Sequence, residues 1–222
     1  MLPSISVAAR NSALSKAQVK EVLNELTLFH PSLTFETIYV RTMGDQDKKK
    51  SLRLLDKTDF FTREIDQMQQ NGLCRIAIHS AKDLPDPLPR GLVLAALTKG
   101  VDPSDSLVLE EKKTLATLPY GARIATSSDR REASVRKLRD DFHFVDIRGT
   151  IEERLAKLDN REIEGLVVAQ AALIRLNLTH LNYITLPGQT APLQGQLAVI
   201  ARENDKEMLE LFRCLNQKKC SI

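Results

Sequence analysis

Basic and hydroxyl side chains recur where predicted strands give way to helices. Arginine presents a planar fork of N–H donors that matches a carboxylate or a phosphate, and serine or threonine caps a helix start, where backbone N–H groups attract anions. Ligands of open α/β sheets bind beyond the carboxyl ends of the strands. The spacing therefore predicts a site for a small polyanion. The clusters comprise Arg10 with Ser12, Lys82 with Asp83, Ser127, Ser128, Arg130 and Arg131, and Arg148 with Arg154.

Asp83 is the acidic side chain that falls directly within this set. Such a carboxylate either stabilises positive charge and moves protons on a bound reactant, or forms an ion pair with Lys82 or a nearby arginine. The prolines of "LPDPLP", residues 84–89, predict a stiff and extended turn after it. We interpret His79 as a hydrogen-bonded histidine at a strand end. Arg130 and Arg131 lie in a predicted first helical turn, where they require a negative partner.

The elements that position these residues alternate between strand and helix. Strand patterns include "SISVAAR", "LCRIAIHSA", "ARIATSS" and "GLVVAQ", and helical patterns include "SALSKAQVKEVLNELTLF" and "TIEERLAKLD". This alternation predicts an α/β fold with mixed, mainly parallel sheets covered by helices. Two domains fit better than one, with a boundary at "TKGVDPSDS" that Gly100 and Pro103 punctuate.

Residues 42–58, "TMGDQDKKKSLRLLDKT", are polar and charged and lack a sustained apolar period. They are predicted to form a long loop. Two interpretations remain open, a merely solvated loop and a mobile lid over a site.

Composition excludes several classes of protein. The 222 residues are 42% hydrophobic and 27% charged, as in ordinary globular proteins. No apolar run is long enough for a membrane span, and the N-terminus lacks a secretory signal. The net charge of +3 at pH 7 does not by itself indicate a nucleic-acid partner. Cys74, Cys214 and Cys220 show no metal-type spacing, so no metal site is predicted and a cytoplasmic location is expected.

The same residues lie in motifs that resemble those of the hydroxymethylbilane synthase family, also called porphobilinogen deaminase. The strongest is "IAIHSAKDLPDPLPRGL", which resembles the family's A-x-H-S-x-K-D-x-P-x-x-x-P-x-G-L. The resemblance runs in order through almost the whole chain. The other matching stretches are "AARNSALSKAQ", "FFTREID", "DPSDSLV", "LPYGARIATSSDRREASV" and "IRGTIEERLAKLDNREIEGLVVAQAALIRLNL".

The resemblance implies a transferase of haem and tetrapyrrole biosynthesis. It would deaminate four porphobilinogen molecules and join them into linear hydroxymethylbilane. Each unit carries an acetate and a propionate, which explains the arginines. By resemblance, Asp83 is a buried catalytic carboxylate that stabilises cationic intermediates, Phe61 packs by the substrate pyrrole, and 42–58 is a mobile active-site loop. The residues implied to hold substrate and cofactor carboxylates are Arg10, Ser12, Lys82, Ser128, Arg130, Arg131, Arg148, Arg154 and Arg175.

The resemblance also implies a monomer with the fold of type II periplasmic binding proteins and a site in the interdomain cleft. Because "PLQGQLAVIARENDKEMLELF" resembles the return of the chain into the first domain, domain 1 is expected to comprise residues 1–98 plus 195–222, and domain 2 residues 99–194.

The sequence departs from the family at the point of cofactor attachment. The family's third domain carries a G-G-C cysteine that is linked to a dipyrromethane cofactor, but this sequence has no G-G-C motif and reads "LNQKKCSI" there. A shortened member without that domain is therefore expected, with dipyrromethane held non-covalently or not at all. Thr58 and Ala125 also replace a family lysine and glycine. The alternative function is a degenerate, non-catalytic binding or regulatory protein for anionic tetrapyrrole precursors.

Overall fold

The computed structural model describes residues 4–47, 53 and 58–216. They divide into two compact units. Of the described residues, unit 1 contains 4–46, 58–101 and 196–216, and unit 2 contains 47, 53 and 102–195. Asp47 and Arg53 thus belong to unit 2, whereas the sequence prediction placed them in domain 1.

Each unit is built on a five-stranded sheet. In chain order the strands are β1 (Ile5–Arg10), β2 (Phe35–Val40), β3 (Ile76–Ser80), β4 (Leu92–Leu97), β5 (Asp105–Leu109), β6 (Arg123–Ala125), β7 (His143–Val145), β8 (Gly165–Ala169), β9 (Tyr183–Thr185) and β10 (Leu197–Arg202). The helices are α1 (Ala13–Phe29), α2 (Met43–Gln46), α3 (Arg63–Gln70), α4 (Asp129–Arg136), α5 (Ile151–Asp159), α6 (Gln170–Arg175) and α7 (Lys206–Leu211). In the described part of the chain, no helix has the length and apolar character needed to cross a membrane.

The sheet of unit 1 has the strand order β2-β1-β3-β10-β4. β1 is parallel to β2 and β3, whereas β10 runs antiparallel to β3 and β4. Helices cover both faces, so β3 is apolar along most of its length. Ile76 and Ile78 belong to the cluster that includes Val22 of α1, and Ala77 belongs to the cluster that includes Ile65 of α3. Burial of each large aliphatic side chain contributes about 1.5–3 kcal/mol, which fixes the register of the strands.

The sheet of unit 2 has the order β7-β6-β8-β5-β9. β6 is parallel to β7 and β8, and β5 is antiparallel to β8 and β9. In each sheet, therefore, one strand runs against the other four, in agreement with the predicted mixed, mainly parallel arrangement. The sequence patterns missed β9, a three-residue strand at the edge of this sheet.

The start of the 42–58 segment differs from its prediction as a structureless loop. Met43–Gln46 form α2, while residues 48–52 and 54–57 lie outside the described residues. The Asp45 carboxylate accepts hydrogen bonds from the backbone N–H (3.1 Å) and the hydroxyl (2.9 Å) of Thr42. The Met43 N–H donates to Oε1 of Glu64 at 2.9 Å. Polar hydrogen bonds hold this helix, and its four residues show no apolar periodicity. The sequence pattern therefore did not predict it.

Candidate functional site

The carboxyl ends of β1 and β3 bring together the predicted residues of unit 1. The two strands are parallel neighbours, so their ends lie at the same edge of the sheet. Arg10 is the last residue of β1, and β3 leads directly into a 3-10 turn at Ala81–Asp83. We define the unit 1 cluster as the residues that this edge and the adjacent Phe61 provide: Arg10, Ser12, Phe61, Lys82 and Asp83.

Arg10 is held between a carboxylate and an aromatic ring. Its Nη2 donates to Oδ1 of Asp45 and its Nε lies 3.4 Å from Oδ2, while its guanidinium carbon lies 4.4 Å from the centroid of Phe61. Burial raises the pKa of Asp45, but the bonds from Arg10 and Thr42 outweigh burial and hold that pKa below its usual value. The ring and the carboxylate together fix the plane of the guanidinium. The sequence analysis did not identify Asp45.

Ser12 has a structural task as well as a place in the cluster. It is the N-cap of α1, and its hydroxyl accepts a hydrogen bond from the N–H of Ser15 at 3.1 Å. This bond fixes the start of the helix directly after the end of β1. The predicted contact between Ser12 and a ligand carboxylate stays a prediction.

Asp83 is exposed, so the expectation of a buried carboxylate is wrong for this structure. Within the 3-10 turn, Ala81 is the buried residue, because its N–H bonds to the carbonyl of Gln196 at 3.1 Å and its side chain joins the core. Asp83, two residues later, points away from that core. Among the described residues it forms neither a hydrogen bond nor an ion pair, so the alternative of an ion pair with Lys82 is not formed either.

His79 is buried on β3, with 5% of its surface exposed. Its Nε2 makes no hydrogen bond to any residue that the structure describes, which contradicts the expectation of a hydrogen-bonded histidine. Burial, together with the smaller effect of the charge of Arg10, lowers the pKa of His79 to about 4. The imidazole is therefore neutral at physiological pH.

The carboxyl ends of β6, β7 and β8 position the predicted residues of unit 2. β6 lies between β7 and β8 and is parallel to both. The three strands lead to α4, α5 and α6 respectively. We define the unit 2 cluster as the residues at these junctions and on the helices that follow: Ser127, Ser128, Arg130, Arg131, Arg148, Arg154 and Arg175.

Arg130 and Arg131 both bind the buried carboxylate of Asp105, the first residue of β5. Nε and Nη2 of Arg131 lie 2.8 and 2.7 Å from Oδ1, and Nη1 of Arg130 lies 2.7 Å from Oδ2. Gln194 donates a further hydrogen bond from Nε2 to Oδ1 at 3.0 Å. Burial raises the pKa of Asp105, but the two guanidinium groups outweigh burial and hold it below its usual value. Asp105 is therefore the negative partner that the two arginines required.

Sequence reasoning missed Asp105, although it carried a signal. It is an acidic residue that begins an otherwise apolar buried strand, "DSLVL". A buried carboxylate needs partners, and arginines in a helical first turn need a negative group. The two requirements together indicate the pair.

The two serines of the unit 2 cluster differ in role. Ser128 is the N-cap of α4, as predicted, and accepts from the N–H of Arg131 at 3.5 Å. Ser127 instead donates to the carbonyl of Ile147 at 2.6 Å and accepts from the N–H of Ile147 at 2.9 Å. Its hydroxyl joins the segments that follow β6 and β7. The predicted contact between Ser127 and a ligand stays a prediction.

The remaining arginines of the unit 2 cluster donate to backbone carbonyl groups. Nη2 of Arg148 lies 2.8 Å from the carbonyl of Asp47, Nε of Arg154 lies 2.8 Å from that of Gly149, and Nη2 of Arg175 lies 2.8 Å from that of Gly195. Such bonds contribute to the orientation of a guanidinium.

Helix α5 begins with a capping box. The Glu153 N–H donates to the hydroxyl of Thr150, and the Glu153 carboxylate accepts from the Thr150 N–H. This reciprocal pair fixes the start of α5 shortly after β7, which places Arg154 near the end of that strand.

Arg53, which the sequence analysis did not single out, also binds the start of α4. It forms ion pairs with Asp129 and with Glu132, the latter at 2.8 Å, and donates to the carbonyl of Thr126 at 3.3 Å. The pairs with Glu132 and Asp129 raise the pKa of Arg53, so the side chain stays charged. This described residue of the 42–58 segment thus lies against α4.

Comparison with known proteins decides the family. A family model described as "Porphobilinogen deaminase, dipyromethane cofactor binding domain" matches residues 5–210. The chain belongs to the porphobilinogen deaminase family. A probable porphobilinogen deaminase of Chlamydia pneumoniae is 39% identical over 208 residues, which are 94% of this chain and 88% of that protein. The porphobilinogen deaminase of Alkaliphilus metalliredigens is 37% identical over 219 residues, 97% of this chain and 69% of that protein.

A solved structure confirms the fold class. The periplasmic substrate-binding protein of an ABC transporter from Coxiella burnetii matches with a TM-score of 0.60 at 13% identity, over 95% of this chain and 91% of that one. The predicted two-domain α/β fold of the periplasmic-binding-protein type is therefore confirmed. The description of the matched family model also confirms dipyrromethane as the cofactor expected for this family.

Proposed function

We propose that the chain is a porphobilinogen deaminase of the hydroxymethylbilane synthase type. It would deaminate four porphobilinogen molecules and join them into linear hydroxymethylbilane. The observation that supports this most strongly is that arginines lie at the carboxyl ends of parallel strands in both sheets: Arg10 is the last residue of β1, and Arg148 comes shortly after β7. Family membership supplies the reaction that this placement suits.

Substrate binding follows from the charge of the reactant. Porphobilinogen carries an acetate and a propionate, and each is the shape that a guanidinium fork binds with two parallel hydrogen bonds. In the unit 1 cluster, Phe61 also offers an aromatic ring beside Arg10. A carboxylate on Arg10 and a pyrrole near Phe61 would orient one substrate molecule.

Dipyrromethane fits the donors of the unit 2 cluster. The cofactor has two such pyrrole units and hence several carboxylates, and Arg130 and Arg131 retain donor atoms that make no hydrogen bond to any described residue. These two arginines, with Ser128 at the start of α4, would hold it. When bound, the cofactor supplies the primer to which substrate units are added. Cys214 is an exposed free cysteine in a 3-10 turn, and Cys220 lies outside the described residues. Neither cysteine belongs to the unit 2 cluster.

Asp83 is the proposed catalytic carboxylate. Loss of ammonia from porphobilinogen leaves a cation, and pyrrole N–H groups become more positive as each new bond forms. A carboxylate stabilises both charges and accepts the hydrogen bonds that strengthen with them. Asp83 lies in the turn that follows β3, and Arg10 is the last residue of the neighbouring parallel strand β1. Both side chains therefore start from the same edge of the sheet, so one ligand could contact both.

The test is turnover by the purified protein. Incubation with porphobilinogen, followed by oxidation, should give porphyrin fluorescence, and Asp83→Asn and Asp83→Ala should abolish it while circular dichroism stays unchanged. The matched control is Asp86→Asn, which removes a second carboxylate from the same turn. Absence of porphyrin with the wild-type protein, or full activity of Asp83→Asn, would overturn the proposal.

The exposure of Asp83 favours a second candidate function. An exposed carboxylate is stabilised by water and gains less from a nearby cation than a buried one, as suits a binding or regulatory protein for anionic tetrapyrrole precursors. Calorimetric binding of porphobilinogen without release of ammonia would support this second function and exclude the first.

We also propose that the protein is a cytoplasmic monomer that contacts neither nucleic acid nor membranes. Cys74 and Cys214 are both free thiols, as in a reducing compartment. Sedimentation at micromolar concentration should give the mass of one chain, and a stable dimer would contradict this proposal.

A further inference from the structure

Asp105 of β5 contacts three side chains, although one ion pair would be enough to link this strand to helix α4. Its side chain is 3% exposed, accepts hydrogen bonds from Arg131 and Gln194, and forms an ion pair with Arg130. Removing a carboxylate from water costs several kcal/mol unless charged partners compensate. Here two guanidinium groups surround one carboxylate, so the three side chains together retain a net positive charge.

The contacts with Asp105 leave several N–H donors of Arg130 and Arg131 unused. The ion pair and hydrogen bond of Arg130 use Nη1, which contacts Asp105 and the carbonyl of Gln189 at 2.8 Å. Those of Arg131 use Nε and Nη2. Nε and Nη2 of Arg130 and Nη1 of Arg131 make no hydrogen bond to any residue that the structure describes. The Arg130 side chain is 31% exposed, which leaves its donors within reach of a ligand.

The position of both arginines also needs explanation. They lie in the first turn of α4, where the helix dipole disfavours a positive charge. Without a negative group, each guanidinium would extend into water and would adopt many rotamers. The Asp105 carboxylate, fixed by β5 and by Gln194, selects one orientation for the pair.

We propose that Asp105 is the positioning residue of the unit 2 cluster, which orients Arg130 and Arg131 so that their remaining N–H donors bind two carboxylates of one polycarboxylate pyrrole. The choice of ligand rests on the proposed function. The orientation itself rests only on the contacts of Asp105. Asp105 touches no reacting atom and acts through the two arginines.

The sign of the effect of Asp105→Asn separates positioning from plain electrostatics. If only charge mattered, removal of a negative group beside two arginines would strengthen the binding of any anion. If orientation matters, the same substitution weakens the binding of a ligand whose carboxylates must meet both arginines. Asparagine keeps the size and one acceptor oxygen, so the change is mild in shape.

The experiment measures two probes by calorimetry near neutral pH: a synthetic dipyrromethane with two acetates and two propionates, and inorganic phosphate. Asp105→Asn should weaken dipyrromethane binding by about tenfold or more, while phosphate binds as well as before or better. A merely structural role would lower the affinity for both probes together. The control is Asp141→Asn, which removes the carboxylate of another ion pair of unit 2, with Arg139 at 2.6 Å, and should leave both affinities unchanged.

A second variant keeps the inference testable if Asp105→Asn does not fold. Arg131→Lys retains the charge and loses the planar fork, so it should also weaken dipyrromethane binding by about tenfold. Unchanged dipyrromethane affinity in either folded variant, or equal losses for both probes, would overturn the positioning role.

The outcomes also separate this inference from the proposed reaction. If the wild-type protein binds dipyrromethane in an Asp105-dependent manner but produces no porphyrin, the reaction is wrong and the positioning role stands. If it turns over porphobilinogen while Asp105→Asn matches it in affinity, kcat and KM, the reaction stands and the positioning role is wrong. Failure of the wild-type protein to bind dipyrromethane overturns both.

Discussion

In each unit a carboxylate binds arginine side chains, but the two carboxylates differ in burial and in the element that carries them. In unit 2, Asp105 belongs to a central strand, is 3% exposed and binds two arginines. In unit 1, Asp45 belongs to a four-residue helix, is 17% exposed and, among the described residues, binds a single arginine, Arg10. The first carboxylate is part of the core, and the second lies on a short peripheral element. We therefore expect Asp105 to contribute to stability as well as to the orientation of its arginines, and Asp45 to contribute mainly to the orientation of Arg10.

The largest effect is expected when the buried carboxylate is removed. Asp105→Ala should lower the free energy of unfolding by about 3–5 kcal/mol, because it leaves two guanidinium groups without their shared partner in a buried setting. Urea denaturation near neutral pH measures this value. A loss below about 1 kcal/mol, typical of exposed ion pairs, would show that Asp105 does not differ from Asp45.

A substitution at Gly44 should disturb the orientation of Arg10 without altering any charge. A Cβ at this position would lie 2.3 Å from a ring carbon of Phe61, the ring that packs against Arg10, and 2.8 Å from the carbonyl of Phe60. Gly44→Ala should therefore destabilise the protein by about 1–3 kcal/mol through overpacking. In a double-mutant cycle, Phe61→Leu should recover part of that loss. Strict additivity of the two substitutions would contradict the contact.

Asp66 sharpens the comparison, because it is a buried carboxylate that pairs with no arginine of the described chain. It lies on α3, is 6% exposed and accepts from the hydroxyl of Thr62 at 2.6 Å. Burial raises its pKa to about 6, above the unfolded value of about 3.9. The native state therefore binds more protons between these values, and this group makes the protein less stable as the pH rises from about 4 to about 6.

Asp66→Asn should accordingly raise the free energy of unfolding near pH 7.5 by about 3 kcal/mol at most, since each unit of pKa corresponds to about 1.4 kcal/mol. The gain should shrink as the pH falls through 6 and vanish near 4. A gain that is independent of pH would show that burial of a charge is not its cause.

The smallest effect is expected at the exposed pair. Asp45→Asn should cost about 1 kcal/mol or less at neutral pH, because both partners contact solvent. The lowered pKa of Asp45 implies that its contribution is present above its unfolded value and is lost as the pH falls through the lower folded value. A loss as large as that of Asp105→Ala, measured in the same urea experiment, would remove the distinction between the units.

The sequence predicted those parts of the fold that carry a periodic pattern. The long run of α1 and the apolar stretch of β3 were both visible in the residues. Helix α2 and strand β9 were missed, because polar bonds to Glu64 and edge pairing with β5 fix them rather than periodicity.

For the candidate site, the basic residues could be predicted and their acidic partners could not. Arginines at strand ends have a local signature. Asp45 lies 35 residues from Arg10 and Asp105 lies 26 residues from Arg131, and only the folded topology brings each pair together. The exposure of Asp83 was missed for a related reason. A short turn decides which of its residues faces the core, and in this turn that residue is Ala81.

The carbonyl acceptors of Arg148, Arg154 and Arg175 have a consequence for the protein in acid. A backbone carbonyl does not take up a proton over the range in which carboxylates do, and an arginine stays charged throughout that range. Acidification thus weakens the contacts of Asp45 with Arg10 and of Asp105 with its two arginines. The three hydrogen bonds to the carbonyl groups of Asp47, Gly149 and Gly195 persist. Some arginines of unit 2 are consequently oriented by backbone groups that are not protonated in acid.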